Sequence, residues 1–433
     1  MVHAASGLAL GHKGIHENMR NRNYRAETEI IIAVVVSFTI VCILATIGLS
    51  EMRASPAGIT PFAPAPAPTT TPLATAAPSH NDLATTRTPA VLPPLDVTAL
   101  PTPFAHGVDP TPIRVLVSTE KRSWVFYRGP ATYVRSDVFA PLPLTSLPRP
   151  ANDNGRGLHW FPTTFQTRAV VDRFVPELKA MRIRWVVILQ GMNDWDLVAN
   201  DYLVDQLTAA GMMPVMRIAS EVGDVDLRRL GWLVAHYRER GVHYFQLFNE
   251  PNETSEWSAN QLTPEWFAYY WALSAPVIAA NGGRPGFPAV APKGDDSDIA
   301  FFRAALEQLK RWNRYDLING MWLAVHNYGG LEANGFYRYR RYDAVVRQVL
   351  GAASLPIIAT EGGLESAEAT ASVIAAMYRA VEREREPYFL AFAPWLIGNF
   401  VGGGHDPRWE AAAWFTGSLA KPVPRPVVAQ ASQ

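Results

Sequence analysis

The chain has 433 residues, of which 48% are hydrophobic and 18% are charged, so it can bury one large core and still leave residues over. Its 39 Lys and Arg residues equal its 39 Asp and Glu residues, and this balance argues against a nucleic-acid partner and favours a neutral substrate. Cys42 is the only cysteine, which excludes an intrachain disulfide and a cysteine-based zinc site, and since the ten histidines form no ligand-spaced cluster, we expect neither a metal nor a cofactor.

The first element in the chain is a predicted membrane anchor. Residues 30–49 carry no charge over about 20 positions, the length that a helix needs to cross a bilayer. Several basic residues precede this segment, whereas only Arg53 follows it closely. The positive-inside rule therefore places residues 1–29 in the cytoplasm and the rest of the chain outside. A cleaved signal peptide stays the alternative, although the apolar run is longer than such peptides use.

A Pro-, Ala- and Thr-rich segment follows the anchor. Residues 50–112 cannot build a core and predict a disordered, extended spacer that holds a domain away from the membrane. We expect that domain to span residues 113–420, with residues 113–135 forming a strand pair or a cap. Residues 421–433 contain several prolines and are predicted to be a flexible tail.

Apolar strand candidates alternate with amphipathic helix candidates through the domain. The predicted strands cover residues 158–160, 185–189, 213–218, 244–248, 288–291, 321–325, 356–360 and 388–393, and the clearest helices cover residues 225–240, 263–280, 299–311, 342–350 and 366–386. This alternation indicates an α/β fold with a parallel sheet. Eight such units predict a (β/α)8 TIM barrel, whose active site lies at the carboxyl ends of the strands.

Polar residues follow four of these apolar runs. Asn249-Glu250-Pro251 ends the fourth run and Glu361-Gly362-Gly363 the seventh, while His326-Asn327-Tyr328 ends the sixth and Trp395 the eighth. Since strand ends of a barrel converge on one mouth, the two glutamates predict an acid/base pair there.

In these four motifs the sequence resembles the retaining glycoside hydrolases of clan A, of the family 5 and family 39 type. The resemblance covers roughly residues 155–420 and implies the same barrel fold. It implies that Glu361 is the nucleophile and Glu250 the acid/base. Gly362 departs from the pattern, because an aromatic residue usually follows the nucleophile.

Further site residues follow from the resemblance and from strand position. The resemblance implies that Tyr328 bonds the nucleophile, that Asn249 bonds the sugar 2-hydroxyl and that His326 and Trp395 line the sugar site. Arg217 ends the third strand and either keeps Glu361 ionised or forms a structural salt bridge. The first strand ends in His159 and Trp160, which either line the sugar site or pack at the barrel mouth.

The sequence thus predicts a membrane-anchored, extracytoplasmic retaining glycosidase that cleaves a poly- or oligosaccharide. One alternative is a carbohydrate-binding barrel without activity, against which the presence of both glutamates counts. Another is a barrel enzyme for phosphorylated substrates, gripping phosphate through Gly362, Gly363 and the glycines at 402–404, although no lysine accompanies them.

Overall fold

The computed structural model describes residues 138–258, 262–292, 297–351, 353–401 and 407–433. The expected cytoplasmic segment, the membrane helix at 30–49, the spacer at 50–112 and residues 113–137 of the domain lie outside the described residues. So do the glycines at 402–404. Within the described ranges, no helix has both the length and the apolar character to cross a bilayer.

Eight parallel strands form one sheet in strict chain order. They are β1 Gly157–His159, β2 Trp185–Gly191, β3 Met213–Ala219, β4 Tyr244–Leu247, β5 Arg284–Phe287, β6 Trp322–Tyr328, β7 Ile357–Gly363 and β8 Phe389–Phe392. The sheet closes on itself, because the amide of His159 donates to the carbonyl of Pro394 at 2.9 Å and the amide of Phe392 to the carbonyl of Gly155 at 3.0 Å. The predicted (β/α)8 barrel is confirmed.

Helices connect successive strands on the outside of the sheet. In chain order they are α1 Arg168–Ala180, α2 Asp201–Ala209, α3 Leu227–Glu239, α4 Pro264–Ala280, α5 Ser297–Arg311, α6 Tyr315–Ile318, α7 Tyr339–Leu350 and α8 Ala367–Arg383. A short helix, α9 Pro407–Glu410, follows the last strand of the barrel. Side-chain caps fix several helix starts, as where the Asp226 side chain accepts from the amides of Arg228 and Arg229. The core between strands and helices is apolar and buried.

The fifth strand lies four residues before the predicted one, which covered residues 288–291. Pro288 has no N–H to donate to a ladder, so the strand ends at Phe287. The following segment is held by a side chain, since Asn252 donates to the carbonyl of Ala291 at 2.9 Å and accepts from its amide at 2.8 Å. Gly286 is required within the strand because a Cβ there would lie 2.5 Å from the Trp322 ring.

The prediction of a flexible tail at residues 421–433 is wrong. Strand β9 Phe415–Gly417 pairs antiparallel with β10 Pro422–Pro424, and the chain then forms helix α10 Pro426–Ala431. Val427 and Ala431 on this helix are fully buried. The prolines begin elements here instead of preventing them: Pro426 occupies the first position of α10, where a missing N–H costs nothing.

The amino-terminal end of the barrel is closed by the segment that precedes β1. Inside the barrel, large apolar side chains including Trp185, Tyr244 and Trp322 form a separate buried layer. The Tyr244 hydroxyl donates to the carbonyl of Pro148 at 2.7 Å, and the Trp185 indole donates to Asp153 at 2.8 Å. Because apolar side chains fill the amino-terminal end of the barrel, the polar side chains further along the strands lie at its carboxyl end.

Candidate active site

Glu250 lies just beyond the end of β4 on a tightly held turn. Phe248 and Glu250 adopt positive φ angles of 69° and 34°, which are unusual for residues other than glycine and cluster at functional sites. The amide of Glu253 donates to the carbonyl of Glu250 at 2.8 Å, and the Trp257 indole donates to the carbonyl of Pro251 at 2.9 Å. The turn therefore fixes where the Glu250 carboxyl points.

Glu361 lies on β7, on the face that points into the barrel. The β6–β7 pairing shifts at this point, because Val325 is opposite Ala359 whereas His326 is opposite Glu361. One extra residue in a strand re-aims the side chains that follow it. The shift brings Glu361 to the same face as His326, which is fully buried beneath the site.

Two donors hold the Glu361 carboxyl in place. The Arg217 guanidinium of β3 bonds one oxygen in an ion pair in which both side chains are largely buried. The Tyr328 hydroxyl donates to the other oxygen at 2.5 Å. Burial and the charge of the same carboxylate raise the pKa of Tyr328 well above its usual value, so this phenol stays protonated and remains a donor.

These contacts keep Glu361 ionised. Burial alone would raise the pKa of the carboxyl, but the electrostatic interactions with His326 and Arg217 and the hydrogen bond from Tyr328 outweigh it. The pKa of Glu361 is therefore held well below its usual range. Arg217 forms an ion pair with Glu361, as in the alternative in which it keeps this carboxyl ionised.

Two buried histidines lie under the carboxylates. His326 has Nδ1 at 2.7 Å from Oε1 of Glu250 and Nε2 at 3.6 Å from Oε1 of Glu361, so it lies between the two groups. The ring of His159 packs against Trp395 in a tilted arrangement, with ring centroids 4.3 Å apart and an angle of 58° between the planes. Burial and then the nearby Arg217 charge lower the pKa of His159 to about 3, so its ring is neutral at ordinary pH.

The carboxylates face a cavity of about 1170 Å³ at the carboxyl end of the barrel. Its lining includes six of the predicted site residues: Arg217, Asn249, Glu250, Tyr328, Glu361 and Trp395. Trp409 of α9 also lines it and meets Trp395 edge to face at 5.4 Å. Aromatic walls beside polar groups are typical of small-molecule sites.

Trp160 does not belong to this cavity, contrary to one of the sequence-based alternatives. Its side chain is fully buried in the layer between strands and helices, where it packs on Phe161 and Phe174 and donates to Gln166 at 2.9 Å. Alternation along a strand explains the difference, since His159 points into the barrel and the next residue must point out of it.

Glu256 is a further carboxylate that lines the cavity, and it was not predicted from the sequence. It ends a 3-10 turn, Thr254–Glu256, in the loop after β4, and it accepts a hydrogen bond from the Asn249 amide at 3.3 Å. No strand end precedes it, so the only sequence signal was an acidic residue six positions after Glu250.

Glu250, His326 and Glu361 offer ligand atoms that all lie within 4.8 Å of one another. Carboxylate and imidazole ligands are of the types that a divalent cation uses. Here Glu361 already bonds Arg217 and Tyr328, and the guanidinium sets a positive charge beside the cluster. The donor set thus suits proton transfer better than cation binding, and the expectation of no metal stays a prediction.

Gly362 is explained by packing. A Cβ at this position would lie 2.5 Å from Cε2 of Phe392 and 2.6 Å from the carbonyl oxygen of Asn327. Its own carbonyl accepts from the amide of Trp395 at 3.0 Å. A backbone so enclosed by strands β6 and β8 is not a phosphate-binding loop, which argues against the second alternative function.

The chain was compared with known proteins. No protein-family profile and no curated protein sequence matches it. Among solved structures it is similar to a monomeric β-xylosidase from Caulobacter crescentus, with a TM-score of 0.46 and 16% identity over 66% of this chain and 69% of that one.

It is also similar to an endo-β-1,3-glucanase of glycoside hydrolase family 128 from Sorangium cellulosum, with a TM-score of 0.43 and 15% identity over 64% and 97% of the two chains. A family 51 α-L-arabinofuranosidase from Bifidobacterium longum gives a TM-score of 0.46 and 9% identity over 65% and 73%. These are sugar-cleaving enzymes of clan A, the group that the strand-end motifs resemble. The barrel itself is established by the strand order of this chain.

Proposed function

We propose that the protein is a retaining glycoside hydrolase that cleaves O-glycosidic bonds of a poly- or oligosaccharide. The separation of its two carboxyl groups carries this proposal. One oxygen atom of Glu250 and one of Glu361 lie within 4.8 Å of each other, an approach that suits a retaining pair. Retaining pairs are roughly 5–5.5 Å apart and inverting pairs roughly 6.5–9.5 Å, because inversion needs room for a water between carboxylate and sugar.

In the first step Glu361 attacks the anomeric carbon while Glu250 gives its proton to the departing glycosidic oxygen. The carbon–oxygen bond to the leaving group breaks as the ester to Glu361 forms. Tyr328 and Arg217 support the assignment, because they hold the attacking carboxylate ionised and aimed. Glu250 is a quarter exposed and has His326 as its near neighbour, so it can exchange protons.

In the second step water replaces the leaving group. Glu250, now a carboxylate, takes a proton from the water, whose oxygen attacks the anomeric carbon and releases Glu361. Two inversions at the same carbon restore the original configuration. One pair of carboxyl groups serves both steps, and Glu361 ends as the ionised group with which it began.

The cavity supports a substrate larger than a single sugar. At about 1170 Å³ it exceeds the roughly 300–1,000 Å³ usual for small-ligand sites. Trp395 and Trp409 form one aromatic wall, and apolar sugar faces stack on such rings. The similar solved enzymes act on different sugars, a β-xyloside, a β-1,3-glucan and an α-L-arabinofuranoside, so none of them identifies the sugar here.

The stereochemistry of hydrolysis tests the proposal. We expect the product to appear first in the anomeric configuration of the substrate, because water can attack only from the face that the leaving group vacated. Proton NMR of the anomeric signal, recorded before mutarotation, measures this. Initial release of the opposite anomer would require another carboxylate, such as Asp194 or Glu253, to act as the base for an inverting reaction.

We also propose that residues 30–49 anchor the enzyme with its barrel outside the cytoplasm. The charge asymmetry across this segment supports the orientation. The full-length protein is expected in the membrane fraction after a high-salt wash, and a reporter fused after Arg53 is expected to be active only outside the cytoplasm. Release of a soluble protein that begins between Ala54 and Ala67 would show a cleaved signal peptide instead.

A further inference from the structure

Glu256 stands on a loop whose backbone is held from two sides. Its carbonyl accepts from the amide of Val222 at 2.7 Å, and the amide of Ser258 donates to the carbonyl of Val222 at 3.2 Å. The loop after β4 is thereby joined to the loop after β3. The backbone from which the Glu256 side chain enters the cavity is therefore held in place.

A chain of hydrogen bonds links Glu256 to the nucleophile. Arg217 bonds Glu361 and also donates to Oδ1 of Asn249 at 3.0 Å, while Nδ2 of Asn249 donates to Oε1 of Glu256 at 3.3 Å. An arginine can only donate and a carboxylate can only accept. The two contacts together therefore orient the Asn249 amide, with Oδ1 towards Arg217 and Nδ2 towards Glu256.

Both Asn249 and Glu256 keep hydrogen-bonding capacity beyond this link. The amide nitrogen of Asn249 has a second N–H, and Glu256 has a second carboxyl oxygen. Among the described residues, Glu256 makes no other side-chain hydrogen bond. Both side chains line the cavity, so the unused donor and acceptor are available to a ligand there.

We propose that Glu256 is a substrate-binding and positioning residue: one oxygen orients the Asn249 amide, and the other accepts a hydrogen bond from a sugar hydroxyl in the cavity. This inference rests on the proposed glycosidase function. Glu256 is then a third functional carboxylate of the site. It contributes to recognition of the substrate and takes no part in the transfer of the glycosyl group. The hydroxyl is expected on the sugar ring that Asn249 contacts, because the two side chains are adjacent.

The ionisation of Glu256 gives this role a pH signature. Burial raises the pKa of its carboxyl, and the negative charges of Glu250 and Glu361 add to that, while the Asn249 hydrogen bond and the Arg217 charge oppose it. Glu221, in the loop joined to it, also faces the cavity. As pH falls through the raised pKa, the charged acceptor is lost, so KM is expected to rise at a higher pH than an ordinary glutamate would cause.

The test uses the full-length protein in detergent and the 4-nitrophenyl glycoside that it cleaves fastest in a panel. Glu256→Gln keeps a carbonyl oxygen for Asn249 but loses the charge, so we expect KM to rise roughly tenfold with little change in kcat. Glu256→Ala also releases the Asn249 amide, and kcat/KM is expected to fall on the order of 100-fold. The rise of KM towards acidic pH, which forms the acidic limb of the plot of KM against pH, should be absent in Glu256→Gln.

Glu307→Gln is the matched control, since it makes the same change at an exposed glutamate on the outside of α5, and its KM profile should equal that of the wild type. An unchanged KM and a persistent acidic limb in Glu256→Gln would overturn the inference while leaving the glycosidase function intact. A lower melting temperature with unchanged KM would assign Glu256 a structural role only. If the wild type cleaves no glycoside, the proposed function fails, and this inference with it.

Discussion

Replacing Glu361 with Gln is expected to abolish turnover of every glycoside, with a loss on the order of 10⁴ to 10⁶ in kcat. The amide oxygen carries no negative charge, so it cannot form the ester to the anomeric carbon. The donors that surround Glu361 make the loss severe, because Arg217 and Tyr328 are arranged for an anion. Initial rates on activated and natural substrates measure it.

The control for this variant is Glu307→Gln, which changes an exposed glutamate on the outside of α5. Removing the charge also leaves the Arg217 guanidinium without its anion, so circular dichroism and a melting curve must accompany the kinetics. A folded Glu361→Gln protein that still turned over activated glycosides at a rate near that of wild type would show that the nucleophile lies elsewhere.

Glu250→Ala is expected to produce a different defect that depends on the leaving group. A natural glycoside needs the proton that Glu250 supplies, so its hydrolysis should fall roughly 10² to 10⁴-fold. A dinitrophenyl glycoside has a stable leaving group that needs no acid, so Glu361 can still attack. The second step then lacks its base, and glycosyl-enzyme should accumulate to a level that intact-protein mass spectrometry detects.

Azide separates this outcome from general damage. As a small anion it needs no base, so it should enter the space left by the missing side chain and release the accumulated sugar as a glycosyl azide of retained configuration. Glu307→Gln, on the outside of α5, should behave as wild type. Equal loss on both kinds of substrate, without rescue, would mean that the roles of Glu250 and Glu361 are wrongly assigned.

The sequence predicted the parts of this molecule that depend on periodicity. Parallel strands of a barrel end at one mouth, so the order of apolar runs alone was enough to bring Glu250, Glu361, Arg217 and Tyr328 to one cavity. Arg217 illustrates why this works, because alternation along β3 places it on the same face as the interior residues Met213 and Val215.

The parts that were missed depend on contacts distant in sequence. A glycine stands at position 286 of β5 because the Trp322 ring occupies the space that a Cβ there would need. Helix α10 forms after a proline-rich stretch because its apolar side chains find a buried surface, which composition does not reveal. Glu256 becomes part of the site only through the 3.3 Å contact with Asn249, since its loop has no periodic pattern.

The glycine after Glu361 has a consequence for how this barrel can diverge. The ring of Phe392 on β8 fills the space that any side chain at position 362 would need. A larger residue at position 362 therefore needs two other changes first: Phe392 must become smaller, and the β6 backbone at the Asn327 carbonyl must move away. A lineage that carries an aromatic residue beside its nucleophile cannot reach the present arrangement, or return from it, by one substitution.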